Sequence, residues 1–369
     1  MKKIYDFIVI GAGISACTFA SLLNKRFSDA SILLVEHGRR LGGRATTRKS
    51  RKYKTLEFDH GLPSITFSKH TSQEILTLIS PLINSNKLVD ISKNILLIDE
   101  FGNLKNTLTN NIIYKSLPFM KNFCEEIINQ SINRKKINFL FQTVTKSLTY
   151  INNLWEVEIN NGTFINSKNL IVSSSLIAHP RCLKILKTNS LPLRDAFIPG
   201  KDKLIDSLLR ETEKLTYISR KIYILHVSSL SVIQNFNYQY LQVLFSNVIR
   251  EDLNFERIIF QRQSDGSMII ALHCSYITNL IEISMETIIK SLISIFENYL
   301  IFVDLFLQAK LIDKMDWRAS QPFHHLLPKE LQWSSRSKIG FCGDWFDWDS
   351  CRGVESAMNS SIRLVKLLN

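Results

Sequence analysis

The residues best suited to chemistry lie near the N-terminus. Gly11, Gly13 and Ala16 form G-x-G-x-x-A directly after the apolar run Tyr5–Ile10. In this spacing Gly11 permits a tight turn, Gly13 lets backbone approach a pyrophosphate, and Ala16 allows close helix–strand packing. A helix expected over Ile14–Lys25 would aim free N–H groups and its positive dipole end at that phosphate. A second apolar strand, Ile32–Val35, ends in Glu36. That is about 20 residues past the glycines, where a carboxylate can accept both ribose hydroxyls. An acid there also repels a 2′-phosphate. Shortly after, Arg40, Gly42, Gly43, Arg44 and Thr47 form R-x-G-G-R-x-x-T. Paired glycines let a loop pass close to a cofactor, and Arg44 can pair with a diphosphate. A secretory leader, suggested by Lys2, Lys3 and the apolar run, would explain neither Glu36 nor the glycine spacing.

Holding these groups together requires a sheet, and the chain supplies its strands in pieces. Phe141–Ser174 reads as a strand, an Asn152-Asn153 turn, a strand around Trp155–Val157, an Asn161-Gly162 turn and the apolar run Leu170–Val172. Asn-Gly between strand-like runs is a hairpin signal. Ile339–Asp344 reads as a strand ending in Gly343-Asp344, and a helix is expected from Gly353 or Val354 to Leu368.

The R-x-G-G-R-x-x-[ST] stretch resembles the second FAD motif of amine-oxidase-like flavoproteins. With Phe58-Asp59-His60-Gly61 following, it is most similar to their renalase-like branch. Trp317–Pro322 resembles that branch's W-R-Y-A-x-P stretch. The resemblance implies non-covalent FAD held by Gly11, Gly13, Ala16, Glu36, Arg40, Gly42, Gly43, Arg44 and Thr47. It implies an adenine-side strand around Val144, and ribityl contacts from Gly343-Asp344. The backbone of Gly353, Val354 and Glu355 would lie under the flavin N1–C2 edge. His60 and Gly61 would lie near the ring, His60 as a substrate contact or as a structural histidine. Trp317, Gln321, His324 and His325 are cavity candidates, with core packing the other reading of Trp317. His273 resembles a family H-A-S segment ending at Ser275 and is expected to be a satisfied strand histidine. Trp345 and Trp348 are candidates to stack by the ring. The chain departs from the branch at Leu62-Pro63-Ser64, where relatives carry Ala, Gln and Tyr. The lysine that several amine oxidases place opposite N5 is not identifiable.

The implied fold class is α/β: an FAD-binding Rossmann-type (glutathione-reductase-like) parallel sheet domain with an inserted α+β substrate domain. The expected FAD domain is discontinuous, at 1–67, 138–180 and 312–369, with 68–137 and 181–311 forming the cap. Strands are expected at Lys221–Val227, Tyr240–Phe245 and Ser267–His273, with a hairpin turn at Asp265-Gly266. Helices are expected at Ser72–Ser80 (stopped by Pro81), Pro118–Ser131, Lys201–Arg210 and Glu282–Asn298. The apolar stretch Ile288–Leu311 reads as buried helix, because Glu297 and Asp304 interrupt it and unsuit it to a bilayer.

Composition narrows the class. A net charge of +13 with dispersed lysines and no nucleic-acid module argues against nucleic acid as the partner. Six scattered cysteines (17, 124, 182, 274, 342 and 351) show no C-x-x-C or zinc spacing, so no metal and a reduced, cytoplasmic compartment are expected. By resemblance, hydride passes from a dihydronicotinamide-type or amine substrate to flavin N5, with O2 as acceptor. Only one nucleotide fingerprint is present, so no separate NAD domain is expected. Gly343-Asp344-Trp345 stands where related hydroxylases carry G-D-A, which argues against oxygen insertion. The competing class is a catalytically degenerate FAD- or nucleotide-binding protein serving as sensor, chaperone or assembly factor.

Overall fold

The computed structural model describes residues 3–53, 55–107, 110–186, 189–274, 284–346 and 352–368. Its first sheet is built on five parallel strands in the order Ile137–Leu140, Ile32–Val35, Ile4–Ile10, Phe164–Val172 and Ile339–Phe341. All of Ile32–Val35 and the last four residues of Ile4–Ile10 are buried, which is why they read as unbroken apolar runs. One face is covered by the opening helix Ile14–Arg26, the helix Lys121–Asn129 and the closing helix Gly353–Leu367. Phe19, Leu23, Phe123, Met358 and Leu364 interlock there. The other face buries Trp155, Leu208, Phe341, Trp345 and Phe346. The Asn-Asn and Asn-Gly turns join Thr145–Ile151, Leu154–Ile159 and Phe164–Val172 into an antiparallel meander. Asn152, Asn153 and Gly162 all adopt positive φ, as tight hairpins demand.

The second sheet has seven strands: Lys310–Phe323, Thr216–Val227, Met268–Cys274, Phe255–Arg262, Tyr240–Phe245, Ile95–Ile98 and Leu104–Asn106. The pairing is antiparallel except between Tyr240–Phe245 and Ile95–Ile98. Helices Met285–Ile295 and Leu300–Gln308 pack on one face. The other face meets Phe58 from the short strand Glu57–Asp59 and Leu56 just before it.

Several expectations are corrected by non-local packing. Pro81 does not stop its helix, which runs Gln73–Asn84. Proline forfeits one backbone bond there, while the buried stripe of Ile75, Leu78, Ile79 and Leu82 holds the helix in place. The single helix expected over Glu282–Asn298 and the apolar run beyond is two helices, Met285–Ile295 and Leu300–Gln308, followed by a strand. That strand, Lys310–Phe323, pairs along its length with Thr216–Val227, so the boundary expected at 312 falls inside the second sheet.

Asp59 ties the two sheets together. Its side chain is fully buried and forms an ion pair with Lys115. It also accepts hydrogen bonds from Thr47 Oγ1 at 2.6 Å and Met120 N at 3.0 Å. Its backbone exchanges two hydrogen bonds with the Gln261 side chain, at 3.0 and 2.9 Å. Asp59→Ala leaves a buried ammonium without its partner and should cost about 3–5 kcal/mol in chemical denaturation. A loss below 1 kcal/mol would contradict this role, while pairing Asp59→Leu with Lys115→Met should recover much of the loss.

Candidate functional site

The opening turn is shaped by what it excludes. Gly11 has φ +105°, and a Cβ there would overlap the Ser173 hydroxyl, which donates to Ile10 O at 2.8 Å. Gly13 caps the opening helix, with no side-chain cap and no acid in the first turn. Its first N–H groups are therefore open to an anion. Ala16 is fully buried against the sheet. The second glycine loop lies directly on this turn: Gly42 N donates to Ala12 O at 2.9 Å, and a Cβ on Gly43 would come within 3.1 Å of Gly13 Cα. Glu36 is fixed beside it, accepting from Ala12 N at 2.8 Å and Gly38 N at 2.5 Å. Each carboxylate oxygen keeps a further lone pair, so ribose hydroxyls can still be received. Thr143 N bonds to Glu36 O at 2.9 Å, which brings half-buried Val144 alongside the acid.

Arg44 crosses to both other parts of the chain. It donates to Asp344 Oδ1 at 2.5 Å and to the Ser320 carbonyl at 2.6 Å. Burial opposes its charge, but Asp344 outweighs burial and raises its pKa. A second cation, unforeseen in the sequence, stands close by. Arg181 lies 3.6 Å above the Tyr217 ring, and its Nη2 donates to Ser175 Oγ at 3.3 Å. Tyr217 also bonds to that hydroxyl. Nε and Nη1 of Arg181 are buried without a partner among the described residues. Two guanidiniums thus face one carboxylate, Asp344, and the surplus suits an anion. The uncapped helix, the glycine cradle and the half-satisfied Arg181 together fit a dinucleotide diphosphate.

The remaining candidates divide. Gly343 has φ +147° and donates to Ser360 Oγ at 2.8 Å; a Cβ there would overlap the Trp345 indole. Trp345 is 2% exposed and bonded to Cys342 O at 2.9 Å, so it packs in the core rather than stacking on a ligand. Trp348, Cys351 and Ser275 lie outside the described residues. The closing helix starts at Gly353 and Val354 with no side-chain cap. The Glu355 carboxylate accepts from Ser68 N, Ser68 Oγ and Thr71 Oγ1 at 2.9, 3.0 and 2.8 Å, clamping that loop to the helix start. Thr47 is 3% exposed and spends its hydroxyl on Asp59, which removes it from ligand contact. Half-buried Arg40 acts electrostatically on Glu57.

On the side of the second sheet, His60 stacks on Trp317 with ring centroids 5.6 Å apart. A Cβ on Gly61 would overlap the Arg44 carbonyl and touch the Trp317 ring at 3.2 Å, so only glycine fits between them. His60 Nδ1 and Trp317 Nε1 are buried without partners among the described residues. Burial, reinforced by Arg48, lowers the His60 pKa to about 4. Gln321 and His324 are exposed, and His325 turns to Glu211 at 2.8 Å, so none of the three joins this pair. His273, expected to be a satisfied histidine, is instead buried with Nε2 unpartnered. No metal-binding cluster occurs among the described residues, and none of their helices is long and apolar enough to cross a membrane.

Residues 9–80 match the model of an NAD(P)-binding Rossmann-like domain. No curated protein matches the chain significantly. Solved structures with similar folds include one from Exiguobacterium sp. 255-15 named as a protoporphyrinogen oxidase (TM-score 0.63, 11% identity, covering 100% of this chain and 99% of that one). A CLA-producing fatty acid isomerase from P. acnes matches equally broadly (TM-score 0.63, 10% identity, 100% and 99% covered). A tetracycline destructase covers 98% of this chain and 79% of its own (TM-score 0.51, 14% identity). These likenesses show a shared fold along the chain.

Two outcomes follow. Arg181→Gln should weaken dinucleotide binding roughly 10-fold or more, as loss of a charge-assisted contact does; unchanged affinity by fluorescence titration would remove Arg181 from the crevice. His60 holds a depressed pKa, so its contribution to stability is complete above pH 6.5 and declines as pH falls toward about 4. The melting temperature of His60→Asn should therefore decline less than the wild type's across that window, and parallel curves would show His60 to be solvated.

Proposed function

We propose that this chain is an FAD-dependent oxidoreductase, acting as an oxidase on a dihydronicotinamide-type or amine substrate with O2 as acceptor. The observation that carries the reading is the seating of Gly42-Gly43 on the Gly11–Gly13 turn. That contact lays two phosphate-approaching loops together and delivers Arg44 to the same crevice as Arg181. The broad fold likeness to a protein named as an oxidase, and the Rossmann-like match, support it.

FAD, when bound, supplies the hydride acceptor. The chain's own residues do the rest by position and charge. The opening helix N-terminus, Arg44 and Arg181 would hold the diphosphate, and Glu36 the adenosine ribose. Asp344 would exchange its bond with Arg44 for a ribityl hydroxyl. The uncapped start of the closing helix offers N–H groups to a negatively charged ring edge. His60 and His273 have lowered pKa values and stay neutral near pH 7, so neither brings a fixed positive charge to the donor. A donor that releases hydride from a dihydropyridine or neutral amine needs no base from the protein.

Anaerobic mixing of the flavin-loaded protein with dihydronicotinamide isomers and simple amines tests this. One donor should bleach the flavin, and air should restore it with release of peroxide. A flavin inert to all of them would favour the binding-only alternative, in which the crevice holds the cofactor without turnover.

A further inference from the structure

A cleft of about 770 Å³ lies outside the glycine crevice, and none of the crevice residues lines it. One wall is built on the paired strands Leu88–Asp90 and Ile112–Ser116 together with the helix Lys121–Asn129. The other is formed by the ends of Tyr240–Phe245 and Phe255–Arg262 in the seven-stranded sheet. Its volume falls within the roughly 300–1,000 Å³ typical of small-molecule sites.

Three buried side chains in its lining have groups already placed. Lys115 is 6% exposed; it gives one N–H to Asp59 and faces the Tyr240 ring, 4.8 Å from the centroid. An ammonium carries three donors, and the other two meet no acceptor among the described residues. Tyr240 donates to Pro63 O at 3.0 Å, which leaves its oxygen able to accept. Gln261 spends both ends of its amide on the Asp59 backbone. Around them stand amides with spare capacity. Asn94 and Gln239 bond through their side chains to none of the described residues, and Gln263 uses only its NH2 end, on Gln261 O at 3.2 Å. Val89 and Phe119 add apolar surface.

The charges of the lining tell against an anion. Lys87 pairs with Glu126 at 2.7 Å, and Lys115 with Asp59. Arg262 turns its guanidinium to the carbonyls of Ile233 and Phe236, at 2.5 and 2.6 Å, on the opposite face of its strand from Gln261. Asp90 remains, accepting from Ser92 N and Oγ through one oxygen at 2.8 and 2.6 Å. The cleft therefore has no surplus positive charge, in contrast to the glycine crevice.

We propose that this cleft binds a neutral, hydroxyl-rich ring of the size of a mono- or disaccharide. A hydroxyl both donates and accepts, so it suits a lining where free amides, a carboxylate and a half-used ammonium stand together. The C–H edges of such a ring match Val89 and Phe119. The site stands independently of the flavin reading.

Saturation-transfer NMR and calorimetric titration of the purified protein with methyl glucoside, methyl galactoside and maltose test this, beside cyclohexylmethanol and glucose 6-phosphate. At least one of the three glycosides should bind saturably and roughly 10-fold or more tightly than cyclohexylmethanol, the scale of two net hydrogen bonds. The phosphate should bring no gain over methyl glucoside. Asn94→Leu should weaken the glycoside roughly 10-fold, and Val89→Trp, which fills the cleft, should abolish its binding. Circular dichroism checks that both variants fold. Failure of all three glycosides to bind, equal binding of cyclohexylmethanol, tighter binding of glucose 6-phosphate, or undiminished binding in a folded Val89→Trp protein would overturn the site. Should that variant not fold, Asn94→Leu and the comparison of probes on the wild type still decide.

Discussion

The close approach of two glycine segments sets the geometry of the whole molecule. Gly43 sits so near Gly13 that a Cβ on Gly43 would come within 3.1 Å of the Gly13 Cα, and the Gly42 amide pins the contact through Ala12. Because the loop is fixed there, the chain leaving it must run through Arg44, Thr47 and the short strands to Asp59. Arg44 then reaches Ser320 on the second sheet and Asp344 at the end of the first. Asp59 anchors the same segment from beneath, through Lys115, Met120 and Gln261. The crevice is thus framed by local backbone constraint on one side and a buried ion pair on the other.

Charge in the molecule is arranged around this frame in two separate surpluses. Arg44 and Arg181 outnumber Asp344 near the glycine turn, and Arg220 and Arg257 outnumber Glu256 on the second sheet. Between them lie groups held neutral by burial, His60 and His273, with the Trp317 indole. Unpaired buried donors are expensive in a folded protein. Arg181 Nε and Nη1 at the first surplus and Arg257 Nε at the second are such donors among the described residues.

What the sequence disclosed was whatever depends on local rules. Buried parallel strands read as apolar runs, positive-φ turns demand glycine or asparagine, and a helix starting on G-x-G leaves its first N–H groups uncapped. The turn at Gly11, the helix start at Gly13 and the burial of Ala16 were legible for those reasons. Arg181 was not, because its role depends on Tyr217 and Ser175 folding beneath it. Thr47 belongs to the motif by spacing, yet the antiparallel pairing of its strand turns it inward onto Asp59. The apolar stretch through Leu311 hid a helix break and the start of a long strand, since hydrophobicity alone does not separate buried helix from buried strand. Arg220 meets the neighbouring residues Glu256 and Arg257 only through the pairing of the strands between them and a bulge beside Arg257, which no linear spacing records.

The central claim is that the crevice between the glycine loops and Asp344 is built for one dinucleotide flavin. The most direct measurement is the flavin content of the purified protein, followed by titration of the stripped chain with FAD, FMN and NAD+. A crevice with both a Glu36 end and an Asp344 end should retain one FAD per chain and bind FAD far more tightly than either of the others. A colourless chain that cannot be reconstituted, or one that takes FMN as readily as FAD, would contradict it.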